Sequence, residues 1–203
     1  ELRHITKTVV QWNHVKKNIL DDITFCMYPG EIVGVVGRSG AGKSTLAHAI
    51  AHLTGITQGE MYVQGQHMTG LQGKALRLLY QQMQMVFQSP QESFDPRRTV
   101  GYSIGESLRN QGMNKQERQQ RVRQMVQQCG LDAGIVCKYP HEVSGGQCQR
   151  AAIARALMVS PALLLCDEAT SALDTITQQR IIALLRHCNV SQGMACLFIC
   201  HNI

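Results

Sequence analysis

The sequence lacks any run of 18 apolar residues, so no segment of it is predicted to cross a membrane as a helix. It shows no signal peptide. Its eight cysteines include no Cys-x-x-Cys pair, and several lie inside apolar runs, as Cys166 does. We therefore expect small buried hydrophobic side chains in a reducing compartment, and no disulfide framework.

Clustered charge is also missing. The 203 residues are 44% hydrophobic and 17% charged, which is typical of one globular domain with room for a small subdomain. The formal net charge is +6, but the basic residues are scattered, so nucleic acid is not expected as a partner.

His48 and His52 lie four residues apart with no third ligand nearby in the sequence. We interpret them as a solvated helix face and not as a metal site.

A glycine-rich segment follows one apolar run and precedes a helical pattern. Its spacing, Gly37, four residues, then Gly42-Lys43-Ser44, predicts a phosphate-binding loop. Glycines let backbone N–H groups turn toward phosphate oxygens, and the following helix start adds unpaired donors. Lys43 is predicted to reach the β and γ phosphates, Ser44 to bind Mg²⁺, and Thr45 to contact the α phosphate. A glycine-rich turn without a ligand is the alternative. The predicted nucleotide-binding residues here are Gly37, Ser39, Gly40, Gly42, Lys43, Ser44 and Thr45.

A second apolar segment, 162–166, is followed by two carboxylates, Asp167 and Glu168. A buried strand would deliver Asp167 to Mg²⁺ at the phosphate site. Glu168 would polarise the water that attacks the γ phosphate. An acidic helix cap is the alternative, since Thr170 and Ser171 also suit a cap, but the phosphate loop upstream favours the catalytic interpretation.

A pair of glycines, Gly145-Gly146, lies between Ser144 and Gln147, directly before a predicted helix over 148–159. Ser144 and the glycines predict a second anion-binding helix start. Simple N-capping is the alternative, but it does not explain two glycines with a glutamine. The chain thus carries two phosphate-directed helix starts that lie far apart in sequence.

Periodicity and turn residues predict a β-rich start, a helical middle and a return to β/α alternation. Residues 13–18 are expected to form a turn, and Asn114 to begin a helix that Gly130 ends. Strands are predicted at 3–10, 19–27, 32–36, 59–63, 83–87, 162–166 and 194–200, and further helices at 43–53, 71–82, 148–159 and 175–187.

Together these segments resemble the ATP-binding cassette of an ABC transporter. The phosphate loop, the strand that ends at Asp167 and Glu168, and the signature 144–147 occur in the family's order and spacing. The resemblance adds Gln88 as the Q-loop glutamine, which touches Mg²⁺ and the attacking water, and Asp174 as the last residue of the D-loop.

The resemblance also assigns His201 as the switch histidine that senses the γ phosphate. Trp12, the only tryptophan, lies where the family places the ring that stacks on adenine, with a core tryptophan as the alternative. The sequence departs from the family at Asn202, where Asp is usual, and at Val143, where the signature usually begins with Leu.

The fold that the family implies is α/β, a P-loop NTPase cassette with a mainly parallel core sheet, an antiparallel β subdomain and a helical insertion. Residues 1–88 and 161–203 are expected to form the RecA-like ATP-binding core with the β subdomain. Residues 89–160 are expected to form the helical signature subdomain. Because the family's domain normally continues beyond the switch histidine, we expect a chain truncated at its C-terminus.

Longer stretches are similar to the ATPases of peptide and nickel importers. Residues 85–97 and 139–147 match that subfamily, and 38–45 and 195–201 are most similar to the second ATPase of a nickel importer pair. The expected cargo is therefore nickel, a metal chelate, or a di- or oligopeptide. An ABC-type ATPase of DNA repair or translation is the alternative, although no coiled-coil or zinc insertion precedes the signature.

The family's mechanism implies a head-to-tail dimer that sandwiches two ATP molecules. Ser144 and Gly146 would cover the γ phosphate bound by a second, identical or paralogous cassette. The expected partners are that cassette, two membrane permease subunits and an extracytoplasmic solute-binding protein. The chain would lie peripherally on the cytoplasmic face of the inner membrane. The catalytic residues would be Glu168, His201 and Gln88, and the Mg²⁺ ligands Ser44, Gln88 and Asp167.

Overall fold

The computed structural model describes residues 1–10 and 14–200 of the chain. Its strands are β1 (Leu2–Val10), β2 (Lys16–Phe25), β3 (Ile32–Val36), β4 (Gln58–Val63), β5 (Gln66–His67), β6 (Met83–Val86), β7 (Leu163–Asp167) and β8 (Ala195–Cys200). Its α-helices are α1 (Lys43–Ile50), α2 (Gly73–Gln82), α3 (Val100–Ile104), α4 (Glu106–Asn110), α5 (Lys115–Gln128), α6 (Gly145–Leu157) and α7 (Thr175–Gln192). Short 3₁₀ helices span Pro90–Ser93, Ala133–Cys137 and Pro140–Glu142.

A four-stranded parallel sheet, in the order β3-β8-β7-β6, forms the centre of the protein. Its inner strands are mostly apolar, and Leu164, Leu165 and Leu197 are fully buried, as expected for a parallel sheet that is covered on both faces. Because all four strands run in the same direction, their carboxyl ends share one edge. That edge receives both the loop after β3 and the carboxylates at the end of β7.

A second, antiparallel sheet has the order β2-β1-β4-β5. Its edge strand β2 begins at Lys16, which pairs with Val10, so the turn predicted over 13–18 is wrong for its last three residues. Those residues are polar because they lie on an exposed edge, a setting in which polar side chains are common. Register shifts interrupt the pairing of β1 with both of its neighbours. Gly59 permits one close approach, since a Cβ there would lie 2.5 Å from the carbonyl oxygen of His4.

The segment between β6 and β7 is helical, as predicted. Asn114 accepts a hydrogen bond from the backbone N–H of Glu117 (2.9 Å) and begins α5, and Gly130 with φ 68° follows its end. Helix α6 begins at Gly145, earlier than predicted. Helix α7 continues to Gln192 and not to 187.

Two hydrophobic clusters flank the parallel sheet. One joins the sheet to helices α3 to α7, and the other joins its opposite face to α1, α2 and the antiparallel sheet. Alternate strand residues enter opposite clusters, as Leu164 and Leu165 do. The buried position of Cys166 in this sheet raises the pKa of its thiol well above the ordinary value.

Not every cysteine follows the expectation of burial, because Cys26 and Cys137 are exposed. No helix within the described ranges 1–10 and 14–200 is long and apolar enough to span a membrane.

Candidate nucleotide-binding site

The predicted phosphate loop connects β3 directly to α1. Gly40 (φ 76°) and Gly42 (φ 89°) have left-handed backbone conformations, which glycine adopts without steric cost. Gly42 is also confined, since a Cβ there would lie 2.6 Å from the carbonyl oxygen of Ile19. The tight turn that the glycine spacing predicts is thus present, and it rests against β2.

Lys43, the first residue of α1, is only 8% exposed. Its Nζ donates hydrogen bonds to the carbonyl oxygens of Gly37 (2.7 Å) and Arg38 (3.0 Å). The ammonium group is therefore held at the centre of the loop, in front of the helix N-terminus. A fixed positive charge and a helix start at one point favour an anionic group there.

Ser44 and Asp167 meet although 123 positions separate them, with Ser44 Oγ donating to Asp167 Oδ1 at 3.1 Å. Asp167 is 3% exposed at the end of β7. A hydroxyl and a carboxylate are the hard oxygen ligands that Mg²⁺ prefers, with water and phosphate oxygens completing the coordination. Among the described residues, no cluster of three or more His, Cys, Asp or Glu forms a self-sufficient metal site. The pair fits a magnesium ion that is shared with a phosphate ligand.

Gln88 and Glu168 are also brought together, with Gln88 Nε2 donating to Glu168 Oε2 at 3.0 Å. Glu168 has a left-handed backbone with φ 51°, which is uncommon for a non-glycine residue. Hydrogen bonds fix it on both sides: its N–H donates to Ile199 O (3.1 Å), and Ser171 Oγ donates to its carbonyl oxygen (2.9 Å). Such enforced conformations occur at functional sites.

A cleft of about 640 Å³, a size typical of small-ligand sites, lies at these features. Asp167 does not line it and adjoins it through its hydrogen bond with Ser44. The cleft is lined by 39–45, Gln88 and Glu168, and on the other side by Val9 and 17–19 of the antiparallel sheet. Sequence reasoning did not find the residues of β2, because only the packing of the two sheets brings them to the loop. Trp12, the predicted adenine-stacking residue, lies outside the described residues.

The signature residues lie elsewhere. Ser144 caps α6: its hydroxyl accepts from the N–H of Gln147 (3.3 Å), while the Gln147 side chain accepts from the N–H of Ser144 (2.9 Å). Gly145 and Gly146 occupy the first turn of this helix. None of the residues 144–147 lines the cleft.

The predicted D-loop packs next to the signature, because a Cβ on Gly146 would lie 3.7 Å from the carbonyl oxygen of Ala172. Asp174 caps α7 by accepting a hydrogen bond from the N–H of Thr177 (3.0 Å), and this bond lowers the pKa of Asp174. Asp174 does not line the cleft either. His201 lies outside the described residues.

The chain is similar to known proteins in a family sequence pattern, in the sequences of individual relatives, and in the fold of solved structures. The sequence pattern of the family described as ABC transporter matches residues 20–171. The chain is 42% identical over 186 residues to the oligopeptide transport ATP-binding protein OppF of Escherichia coli (strain K12), covering 91% of the chain and 56% of that protein. It is 41% identical over 195 residues to the glutathione import ATP-binding protein GsiA of Salmonella paratyphi A (strain ATCC 9150 / SARB42), covering 95% and 31%. The chain therefore spans little more than half the length of the first relative.

Among solved structures, the fold matches a dimeric structure of the ATP-binding cassette MJ0796 in a post-hydrolysis state, bound to ADP and Pi. The TM-score is 0.92 at 30% sequence identity, over 99% of this chain and 87% of that one. The predicted fold class, with a parallel sheet, an antiparallel sheet and a helical insertion, is confirmed.

Proposed function

The chain belongs to the ABC transporter family, and from that premise we propose that it is the subunit that binds and hydrolyses ATP to power an importer of oligopeptides or similar small peptides. The observation that carries the proposal is that Ser44, which is hydrogen-bonded to Asp167, and the Gln88–Glu168 pair meet at one cleft beside the phosphate loop. That arrangement supplies phosphate binding, metal binding and water activation within one site.

In this proposal each residue acts through the geometry described above. The loop N–H groups and Lys43 bind the β and γ phosphates. Ser44 and Asp167 would hold a Mg²⁺ ion, which would neutralise phosphate charge. Glu168, fixed by its backbone hydrogen bonds, accepts a proton from the attacking water, and Gln88 orients the Glu168 carboxylate.

We further propose that the site is completed by a second cassette. The α6 start with Gly145 and Gly146 is an anion-binding helix terminus that does not line the chain's own cleft. A head-to-tail dimer would place this terminus over the γ phosphate of the partner, and the dimeric form of the similar cassette supports a dimer. In this proposal 89–160 act as a subdomain that moves with nucleotide occupancy relative to a core of 1–88 and 161–203.

The cargo and the other partners follow from the relatives. The names of two similar proteins refer to oligopeptide transport and glutathione import, which favours a peptide over nickel. The first name denotes transport and the second import, and neither supports the alternative of DNA repair or translation. Two permease subunits and a solute-binding protein would complete the importer, with this chain attached to the inner face of the membrane.

The test is uptake by the importer purified with its native membrane partners and reconstituted in vesicles. We expect ATP-driven uptake of labelled oligopeptide or glutathione, and its loss in Lys43→Ala. Lys74→Ala, which removes an exposed lysine of α2, is the matched control. Uptake of labelled nickel without peptide uptake would overturn the peptide proposal, and undiminished uptake by Lys43→Ala would overturn the assignment of the phosphate loop.

A further inference from the structure

A second cleft, of about 420 Å³, lies in the helical region between α3, the first half of α5 and the 3₁₀ helix at Ala133–Cys137. Tyr102, Val122 and Val136 contribute its aromatic and apolar surface. Gly101 of α3 packs closely against Val136, since a Cβ on Gly101 would lie 2.7 Å from Val136 Cβ. None of the nucleotide-site residues contributes to this cleft, so the chemistry proposed above leaves it without a role.

The cleft is lined by four cations, Arg109, Lys115, Arg118 and Arg123, and by no carboxylate. Arg109 is partly neutralised by Glu106 (3.1 Å). Glu117, the other acidic residue near this end of α5, forms an ion pair with Arg121 (3.1 Å). Neither Glu117 nor Arg121 lines the cleft.

Tyr102 holds one further cation, Arg98, next to Arg109. The guanidinium carbons of Arg98 and Arg109 lie 4.7 and 4.1 Å from the centre of its ring. These cation–π contacts hold two guanidinium groups beside the cleft. The positive charge is therefore positioned on a rigid aromatic side chain and does not depend only on mobile side chains.

Two cations of the cleft have no internal partner. Lys115 and Arg123 are exposed, and within residues 1–10 and 14–200 their side chains make no ion pair or hydrogen bond. Lys115 and Arg118 also lie in the first turns of α5, at the positive end of the helix dipole, where cations are unfavourable. Cations that converge with only one of them in an ion pair raise the local positive potential and attract anions.

We propose that this cleft binds a phosphate group, as a second anion site separate from the nucleotide site. One carboxylate is satisfied by one bidentate arginine, whereas a phosphate presents several oxygens that accept from cations in different directions. The four cations that line this cleft match the several oxygens of a phosphate better than a single carboxylate. The phosphate could come from an anionic lipid headgroup or from a free phosphate compound, and these sources are separable.

The test compares four forms of the full chain: wild type, Lys43→Ala, Lys115→Gln/Arg123→Gln, and the control Lys74→Gln/Arg77→Gln. The control removes the same charge from exposed positions outside the cleft. Each is titrated calorimetrically with inorganic pyrophosphate and floated with phosphatidylcholine vesicles, with and without phosphatidylglycerol.

We expect the Lys115/Arg123 variant to lose a binding component that Lys43→Ala and the control retain. A phosphatidylglycerol-dependent loss of about thirty-fold would identify a lipid source, because each basic residue near an anionic surface contributes about 1 kcal/mol. Loss in the pyrophosphate titration alone would identify a free phosphate source. Equal losses in the control, or no difference in either assay, would overturn the site. Lys43→Ala alters the predicted phosphate loop and leaves the second cleft unchanged. The two sites are therefore tested independently, and this result would stand even if the nucleotide assignment failed.

Discussion

Glu168 shows how much a single residue depends on its surroundings. Its left-handed backbone is held by Ile199 and Ser171, while Gln88 fixes its carboxylate. A side chain held in this way needs little reorganisation to accept a proton from water, and that is what a general base requires.

We therefore expect Glu168→Gln to bind ATP as tightly as wild type but to hydrolyse it at least about a hundredfold more slowly, since a positioned general base contributes that much. Phosphate release and a nucleotide titration measure the two effects. Glu92→Gln, at an exposed carboxylate outside the cleft, should hydrolyse ATP normally. Wild-type turnover in Glu168→Gln would refute the assignment of the base.

Two glycines of the phosphate loop, Gly40 and Gly42, differ in the space around them. Gly40 and Gly42 are both left-handed, but a Cβ on Gly40 would meet open space, whereas one on Gly42 would collide with Ile19 O. Gly40→Ala should lower the free energy of unfolding by about 1 kcal/mol, the cost of alanine in that conformation. Gly42→Ala should cost more and also weaken ATP binding, because the loop must move away from β2.

Urea unfolding and a nucleotide titration of both variants check this. Equal losses of stability in the two would show that the contact with Ile19 does not constrain the loop.

At the scale of elements, α6 links the signature to the segment after Gln88. Ser144 caps its first turn, and Arg155 in its last turn donates to Ser93 O (2.6 Å) and Ser93 Oγ (2.8 Å). The guanidinium also lies 4.5 Å from the centre of the Phe94 ring. Burial lowers the pKa of Arg155, although it remains charged at neutral pH. A change of position after Gln88 would thus be transmitted to the signature through this anchor.

Arg155→Met should lower the free energy of unfolding by about 1.5–3 kcal/mol, because hydrogen bonds from a charged donor are lost while the apolar stem remains. Chemical denaturation measures the change. Arg121→Met, which breaks only an exposed ion pair with Glu117, should cost less than about 1 kcal/mol. If the two variants lose equal stability, Arg155 is not an anchor.

On the scale of the whole molecule, the chain separates the two helix starts that are predicted to bind phosphate. The α1 start lines the cleft, and the α6 start does not. This separation is the physical reason for proposing a two-chain site.

Glu168→Gln should therefore form a dimer with MgATP and remain a monomer with ADP, as measured by light scattering after size exclusion. Adding Ser144→Arg should abolish the dimer, because a bulky side chain would obstruct the signature. Adding Gln124→Arg, on the exposed face of α5, should leave the dimer intact. A monomer under all conditions would contradict the shared site.

The sequence alone determined what is local. The glycine spacing from Gly37 to Ser44 predicted the loop, and the capping residues Asn114 and Ser144 predicted helix starts, because such features depend on groups within a few residues of one another. The apolar run that ends at Asp167 likewise predicted a buried strand. These patterns also carried the family resemblance that implied the α/β fold class.

Only the tertiary structure decided which of these features meet. The parallel order β3-β8-β7-β6 places Ser44 against Asp167 and Gln88 against Glu168, and the packing of the second sheet adds β2 to the cleft. The cations around Tyr102 converge because α3 packs against α5. No local pattern encodes such proximities, since they arise from strand order and from the burial of apolar faces along the whole chain.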